Sequence, residues 1–247
     1  GSCALTSGEG GAGIQVPAGA VLNLSGSGSL TAIGNGGTDT GAGGAGIGGA
    51  GSAGDSGEIH IDGLSSLTAL GYGPHACGIG SAKDGSSAAI TITNTTIDRA
   101  AGGHEASALA TKYGTNDPEG GAAIGGGGKG NSCGDITITN SVIHSAHGGS
   151  KATAIGGTCW ASCGTITITG SILEDVVGGS SSAGIGVARV TTSHGNDSAL
   201  GASADIVISG CTIDVTGGEY GAAIGTGYNG NSIGSNNDGR ILAQTTI

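Results

Sequence analysis

The chain has 247 residues, of which 58 are Gly, with one Trp, three Pro and neither Phe nor Met. A core built without large aromatics must be narrow and filled by Ile, Val, Leu and Ala. Glycine without a strict G-X-Y period excludes collagen, and regular Ile/Thr runs argue against disorder. The net charge is −11, from 18 acids against seven bases, with no Lys or Arg cluster able to neutralise a phosphate backbone, so nucleic acid is not an expected partner.

Taken along the chain, one short motif returns throughout. A degenerate AGIQ at 12–15 is followed by AGIG at 45–48, CGIG at 77–80, AAIG at 122–125, TAIG at 153–156, AGIG at 183–186 and AAIG at 222–225. Its isoleucines fall at 14, 47, 79, 124, 155, 185 and 224, a period near thirty lengthened twice by insertions. A fixed period of this size is the signature of a solenoid.

After each motif comes a run in which Ile alternates with a polar residue: EIHIDG (58–63), AITITN (89–94), DITITN (135–140), TITITG (165–170) and DIVISG (205–210). Period-two alternation predicts strands with Ile inward and Thr outward. A third apolar block follows directly: LSSLTAL (64–70), TTIDRA (95–100), SVIHSA (141–146), SILEDV (171–176) and CTIDVT (211–216). Three short strands per turn, joined at Gly or Asn corners, describe one coil of an all-β, right-handed parallel β-helix. About seven such coils, stacked at about 4.8 Å, would form a single domain over 1–247 and a rod about 35 Å long. Loop insertions are expected at about 100–121 and 187–204.

These GAAIG…CGDITITN-type coils, over roughly residues 12–240, resemble the right-handed parallel β-helix repeats of exported bacterial glycan-binding and glycan-active proteins. Pectate lyases, polygalacturonases and the carbohydrate-binding β-helix module of cellulolytic clostridia share that architecture. The resemblance implies a secreted or cell-surface location, and it carries over no catalytic residue, since none of those families' catalytic signatures is matched.

Stacking turns equivalent positions into columns. If the motif isoleucines point inward, Gly48, Gly80, Gly125, Gly156, Gly186 and Gly225 point outward. They form either a corner, for which Gly supplies φ > 0, or a bare trough against which a ligand lies flat. The aromatics flank that column: Tyr72, Tyr113 and Tyr220 before it, Trp160 and Tyr228 after it. Sugar rings stack on such groups, so Trp160, Tyr113, Tyr220 and Tyr228 are expected stacking platforms. His104, Asp117, Glu119, His194, Asn196 and Asp197, in the two insertions, are expected polar contacts.

A second column, Asp98, His144, Glu174 and Asp214, carries one titratable group per coil. Carboxylates at such spacings serve glycosidases, and Glu174 with Asp214 offers oxygen ligands to calcium. A third column, Thr91 and Thr93, Thr137 and Thr139, Thr167 and Thr169, resembles the ice-binding face of insect antifreeze β-helices over three coils. Asn94 and Asn140 have the look of an asparagine ladder at the following corner.

The six cysteines (Cys3, Cys77, Cys133, Cys159, Cys163, Cys211) fit disulfides in an exported protein. Cys133 and Cys163 occupy equivalent places on neighbouring coils, and Cys159–Cys163 is the alternative pairing. The C-x3-C spacing has no companion pair to complete a zinc site. No run reaches membrane-spanning length and no signal-peptide pattern opens the chain.

The function expected from these columns is non-catalytic binding of a glycan or polysaccharide, either as an exported extracellular module or as the domain of a larger surface protein. Two alternatives stand beside it. One is a glycoside hydrolase (a polysaccharide lyase is less favoured with so few bases) using Asp98, Glu174, Asp214 and His144. The other is an adhesin or structural surface domain.

Overall fold

The structure is a computed structural model, and it describes residues 1–36, 43–51, 54–103, 120–126, 131–159, 161–188 and 204–227. Three sheets run the length of the molecule, and every strand pairing in them is parallel.

The first face stacks Ile14–Gln15, Ile47–Gly48, Ile79–Gly80, Ile124–Gly126, Ile155–Gly157, Ile185–Val187 and Ile224–Thr226 in chain order. Isoleucine pairs with isoleucine at each step. The second face stacks Val21–Ser25, Glu58–Asp62, Ile90–Thr93, Ile136–Thr139, Thr165–Thr169 and Asp205–Ser209. The third face begins with Ser2–Thr6, Ser29–Ile33, Ser66–Leu70 and Thr96–Ala101. It continues through the split strand Val142–Ile143 and Ala146–His147 to Ile172–Val177 and Thr212–Thr216. Each strand pairs with its counterpart one repeat away, never with its sequence neighbour, which is the connectivity of a parallel β-helix. Among the described residues no helix is long and apolar enough to cross a membrane.

The alternating runs behave as their chemistry requires. Along Ile90–Thr93 and Ile136–Thr139 burial alternates between buried Ile and half-buried Thr. Ile92, Ile138 and Ile168 are fully enclosed on one column, with Ile90, Ile136 and Ile166 beside them. The threonines align in register across three strands, Thr91 with Thr137 and Thr167, Thr93 with Thr139 and Thr169. The core is one continuous cluster of Ile, Val, Leu, Ala and Cys, with no large aromatic in it.

Corners between the second and third faces use left-handed backbone at Asn94 and Asn140 (φ +48° and +49°), where other coils place Gly170 and Gly210. Asparagine tolerates this conformation better than other non-glycine residues. The expected asparagine ladder takes a different form. The Asn94 side-chain amide donates to Asp62 Oδ1 at 2.9 Å.

The ladder at this corner is made of buried hydroxyls one residue later. The Thr95 N–H donates to Ser141 Oγ at 3.2 Å, the Ser141 N–H to Ser171 Oγ at 3.1 Å, and the Ser171 N–H to Cys211 Sγ at 3.4 Å. Each hydroxyl in turn donates to the carbonyl two residues before it: Thr95 to Thr93, Ser141 to Thr139, Ser171 to Thr169, at 2.8–2.9 Å. Backbone groups that a corner would leave unpaired in the interior are thereby satisfied.

Of the two readings of the glycine column the structure bears out the corner, and the alternative, an open trough, is closed. Gly48, Gly80, Gly125, Gly156 and Gly186 are all buried, as are Gly46, Gly78, Ala123, Ala154 and Gly184 on the other side of the isoleucines. The column has φ between +131° and +140° from Gly48 to Gly186, and a Cβ on Gly80 would stand 1.6 Å from the carbonyl oxygen of Gly125. The chain bends so sharply that the Ala45 N–H reaches the Gly49 carbonyl at 3.0 Å, and Cys77 reaches Ser81 likewise. In a strand this short the residue before Ile faces the third sheet across the interior. A Cβ on Gly78 would meet Ala69 and Ala101 backbone at 2.8 and 2.9 Å.

Candidate functional site: a ladder of stacked bulges

The third face carries the exposed chemistry, and a local irregularity creates it. In Ser66–Leu70 the inward residues are Leu67 and Ala69, two apart, as a regular strand requires. In Thr96–Ala101 they are Ile97 and Ala100, three apart, and the pairing jumps from Ile97↔Leu67 to Arg99↔Thr68. One extra residue has been accommodated as a β-bulge. The next coil repeats it with Ile143 and Ala146, and the following one with Leu173 and Val176, all buried. These coils pair in mutual register, Ile97 with Ile143 and Leu173, Ala100 with Ala146 and Val176. The extra residue is lost again at Thr212–Thr216, where Val176 pairs with Val215.

Each bulge turns two consecutive side chains outward: Asp98 with Arg99, His144 with Ser145, Glu174 with Asp175. All are exposed except the half-buried Ser145, and Asp214 is exposed on the coil beyond. Coil spacing places successive pairs about 4.8 Å apart along the axis. His144 Nδ1 lies 2.7 Å from Glu174 Oε2, and His147 Nε2 lies 2.7 Å from Asp175 Oδ2, so two imidazole–carboxylate pairs clamp the same two coils. The Ser66 hydroxyl donates to Asp98 Oδ2. Exposed pairs of this kind contribute about 0.2–1 kcal/mol each, so they order the surface more than they hold the fold.

The expected column of Asp98, His144, Glu174 and Asp214 is thus assembled on one face. Glu174, however, engages His144 on one neighbouring coil, while Asp214 stands on the other side of the register slip. Among the described residues no group of three or more His, Cys, Asp or Glu is arranged to hold a metal ion.

The face continues around the next corner. His75, Lys151, Ser181 and Tyr220 each stand four residues before a first-face isoleucine, and all have left-handed backbone (φ +56° to +63°). Ser150 and Ser180, one residue earlier, are hydroxyl to hydroxyl at 3.3 Å, and the Ser181 N–H donates to the Glu219 carbonyl at 2.8 Å. Tyr220 is 72% exposed, the most solvent-facing large apolar residue among those described, and Tyr72 is 37% exposed.

Of the residues expected from sequence, Asp98, His144, Glu174, Asp214 and Tyr220 fall on this surface. Trp160, Tyr113, Tyr228, His104, Asp117, Glu119, His194 and Asp197 lie outside the described residues, as do 104–119 and 189–203 of the two insertions. Sequence reasoning missed Arg99, His147, Asp175 and the bulges that present them. The signal was there: apolar residues spaced two apart in LTAL are spaced three apart in IDRA, IHSA and LEDV, with two polar residues between.

On the second face Asp62 accepts from Thr93 Oγ1 at 2.8 Å and from Asn94 Nδ2, and these hydrogen bonds hold its carboxyl below its ordinary value. All six cysteines are free thiols, so the disulfides expected from the sequence are not formed in this structure; Cys77, Cys133, Cys159 and Cys163 are buried, Cys211 is half-buried and Cys3 is exposed. Burial pushes Cys77 up to about 12, and burial together with the neighbouring Cys133 raises Cys163. No protein-family model, curated protein or solved structure matches the chain.

Proposed function

We propose that the chain is a non-catalytic carbohydrate-binding β-helix module, working outside a bacterial cell or on its surface as part of a larger surface protein. The observation that carries this reading is the stack of bulges. It offers a row of carboxylate, imidazole, guanidinium and hydroxyl groups, one pair per coil, at the coil spacing along one face. Sugar hydroxyls pair with such mixed donors and acceptors, and a polysaccharide laid along the axis meets a polar pair at the same register position on each of the three bulged coils. The exposed ring of Tyr220 adds an apolar platform at the adjoining corner. Trp160, Tyr113 and Tyr228 belong to the same proposal as stacking groups.

A hydrolase is less well supported. Its acid needs a carboxyl shielded from water, whereas the Glu174 and Asp175 side chains are each 53% exposed and already face histidines. The test is binding to an array of soluble glycans and polysaccharides, with and without calcium, together with an assay for released reducing ends. Binding without release is expected, weakened at least tenfold by Tyr220→Ala or by Asp98→Asn with Glu174→Gln. Release of sugar would establish the hydrolase, and failure to bind any glycan would leave the adhesin class.

A further inference from the structure

A fourth, separate ladder joins Ser132–Cys133 to Ser162–Cys163, two residues against two, with Cys133 the direct register partner of Cys163. Both side chains are buried, and both thiols approach the same acceptor, the carbonyl of Gly134, at 3.4 and 3.5 Å. Register partners in a parallel ladder stand about 4.8 Å apart at Cα, within the roughly 4.4–6.8 Å span that a disulfide bridges. The strands are only two residues long, outside the three large sheets, and the ladder continues only through single bridges from Cys133 to Ser87 and from Ser87 to Ser56, so a small approach of the two Cβ atoms disturbs no long strand. Cys77 and Cys159 are also buried thiols, but neither is a strand partner of another cysteine.

From this geometry we infer that Cys133 and Cys163 are a disulfide-forming pair, which under oxidising conditions joins the two coils that carry them. The oxidant is a small-molecule disulfide of the glutathione type. One cysteine thiolate attacks it, giving a mixed disulfide and one released thiol. The second cysteine thiolate then attacks the protein sulfur and expels the other thiol, so the protein loses two protons and two electrons and the reagent gains them. Burial raises the Cys163 thiol and keeps the folded pair from reacting quickly. The bond therefore forms while the coils are assembling, and once formed it is shielded from reductant.

The experiment is to refold the whole chain in a glutathione redox buffer, block remaining thiols with an alkylating reagent under denaturing conditions, and map the digest by mass spectrometry. The expected product links the peptides containing Cys133 and Cys163, about 2 Da lighter than the sum of the reduced peptides. Its unfolding midpoint should exceed that of the reduced protein by on the order of 5–10 °C. The double variant C133S/C163S should fold with a midpoint near that of the reduced protein and show no change with redox buffer. Recovery of both cysteines fully alkylated, or a dominant link from either to Cys77 or Cys159, would overturn the inference. So would a redox-dependent midpoint that survives in the double variant.

Discussion

The hydroxyl of Ser171 sits under the backbone of Ser141, accepting its N–H at 3.1 Å while donating to the carbonyl of Thr169. Both serines are about 1–2% exposed, so neither group has water as an alternative partner. Ser171→Ala removes the acceptor for one buried N–H and the donor for one carbonyl. The expected loss is about 1–3 kcal/mol in a urea or thermal unfolding experiment. Cys211 holds the equivalent place on the next coil with a weaker sulfur acceptor at 3.4 Å, so Cys211→Ser should leave stability unchanged or raise it by up to about 1 kcal/mol.

The buried glycine corner predicts a sharp contrast between two similar substitutions. Gly125 has φ +140°, and a Cβ there would stand 2.0 Å from the Gly156 carbonyl oxygen. Gly51 has φ +72° with nothing within 4 Å of a built Cβ. Gly125→Ala should cost about 3 kcal/mol or more, because backbone on two coils must shift. Gly51→Ala should cost about 1 kcal/mol, from the left-handed conformation alone. Equal effects in calorimetry would mean that the corner is looser than described.

Asp62 gives a test by titration. Thr93 and Asn94 stabilise its ionised form, so its folded-state carboxyl is more acidic than in the unfolded chain. The stabilisation is present above the ordinary carboxylate range and is lost as pH falls through the lowered folded-state value. Carboxyl-carbon NMR should place Asp62 below a typical aspartate, and Thr93→Val should move it back up. An unchanged titration in that variant would remove Thr93 as the cause.

The two clamps between neighbouring coils call for a double-mutant cycle. His144→Ala and Glu174→Gln, separately and together, should reveal a coupling of about 0.2–1 kcal/mol at low salt that shrinks as salt is added. A coupling of zero at low salt would mean that the imidazole and carboxylate meet without stabilising the coils.

The parts of the fold readable in the sequence are those governed by alternation. Ile138 in and Thr139 out, the three strands per coil and the alignment of Cys133 with Cys163 all follow from period two and period thirty. Alternation fails where strands are too short or interrupted. In the two-residue strand Ile79–Gly80 it assigns an outward direction to Gly80, yet the corner turns that position against the carbonyl of Gly125. Likewise Asp98 and His144 could be placed in one column, but the partners Asp175 and His147 depend on the bulge shifting the frame. The hydroxyl ladder was hidden for a different reason. Thr95, Ser141, Ser171 and Cys211 look like ordinary polar corner residues until burial shows that their partners are backbone groups on the next coil.

Because three neighbouring coils share the same extra residue, the repeats are not interchangeable parts. A duplicated copy of 141–170 inserted beside itself would find matching frames on both sides, and the rod would lengthen by one rung. A copy of the unbulged coil containing Ser66–Leu70, placed between Thr96–Ala101 and Ile172–Val177, would force two register slips where there are now none. Lengthening or shortening of this solenoid within one frame therefore adds no register slip, whereas copying across a frame boundary adds slips beyond the two that the molecule already carries.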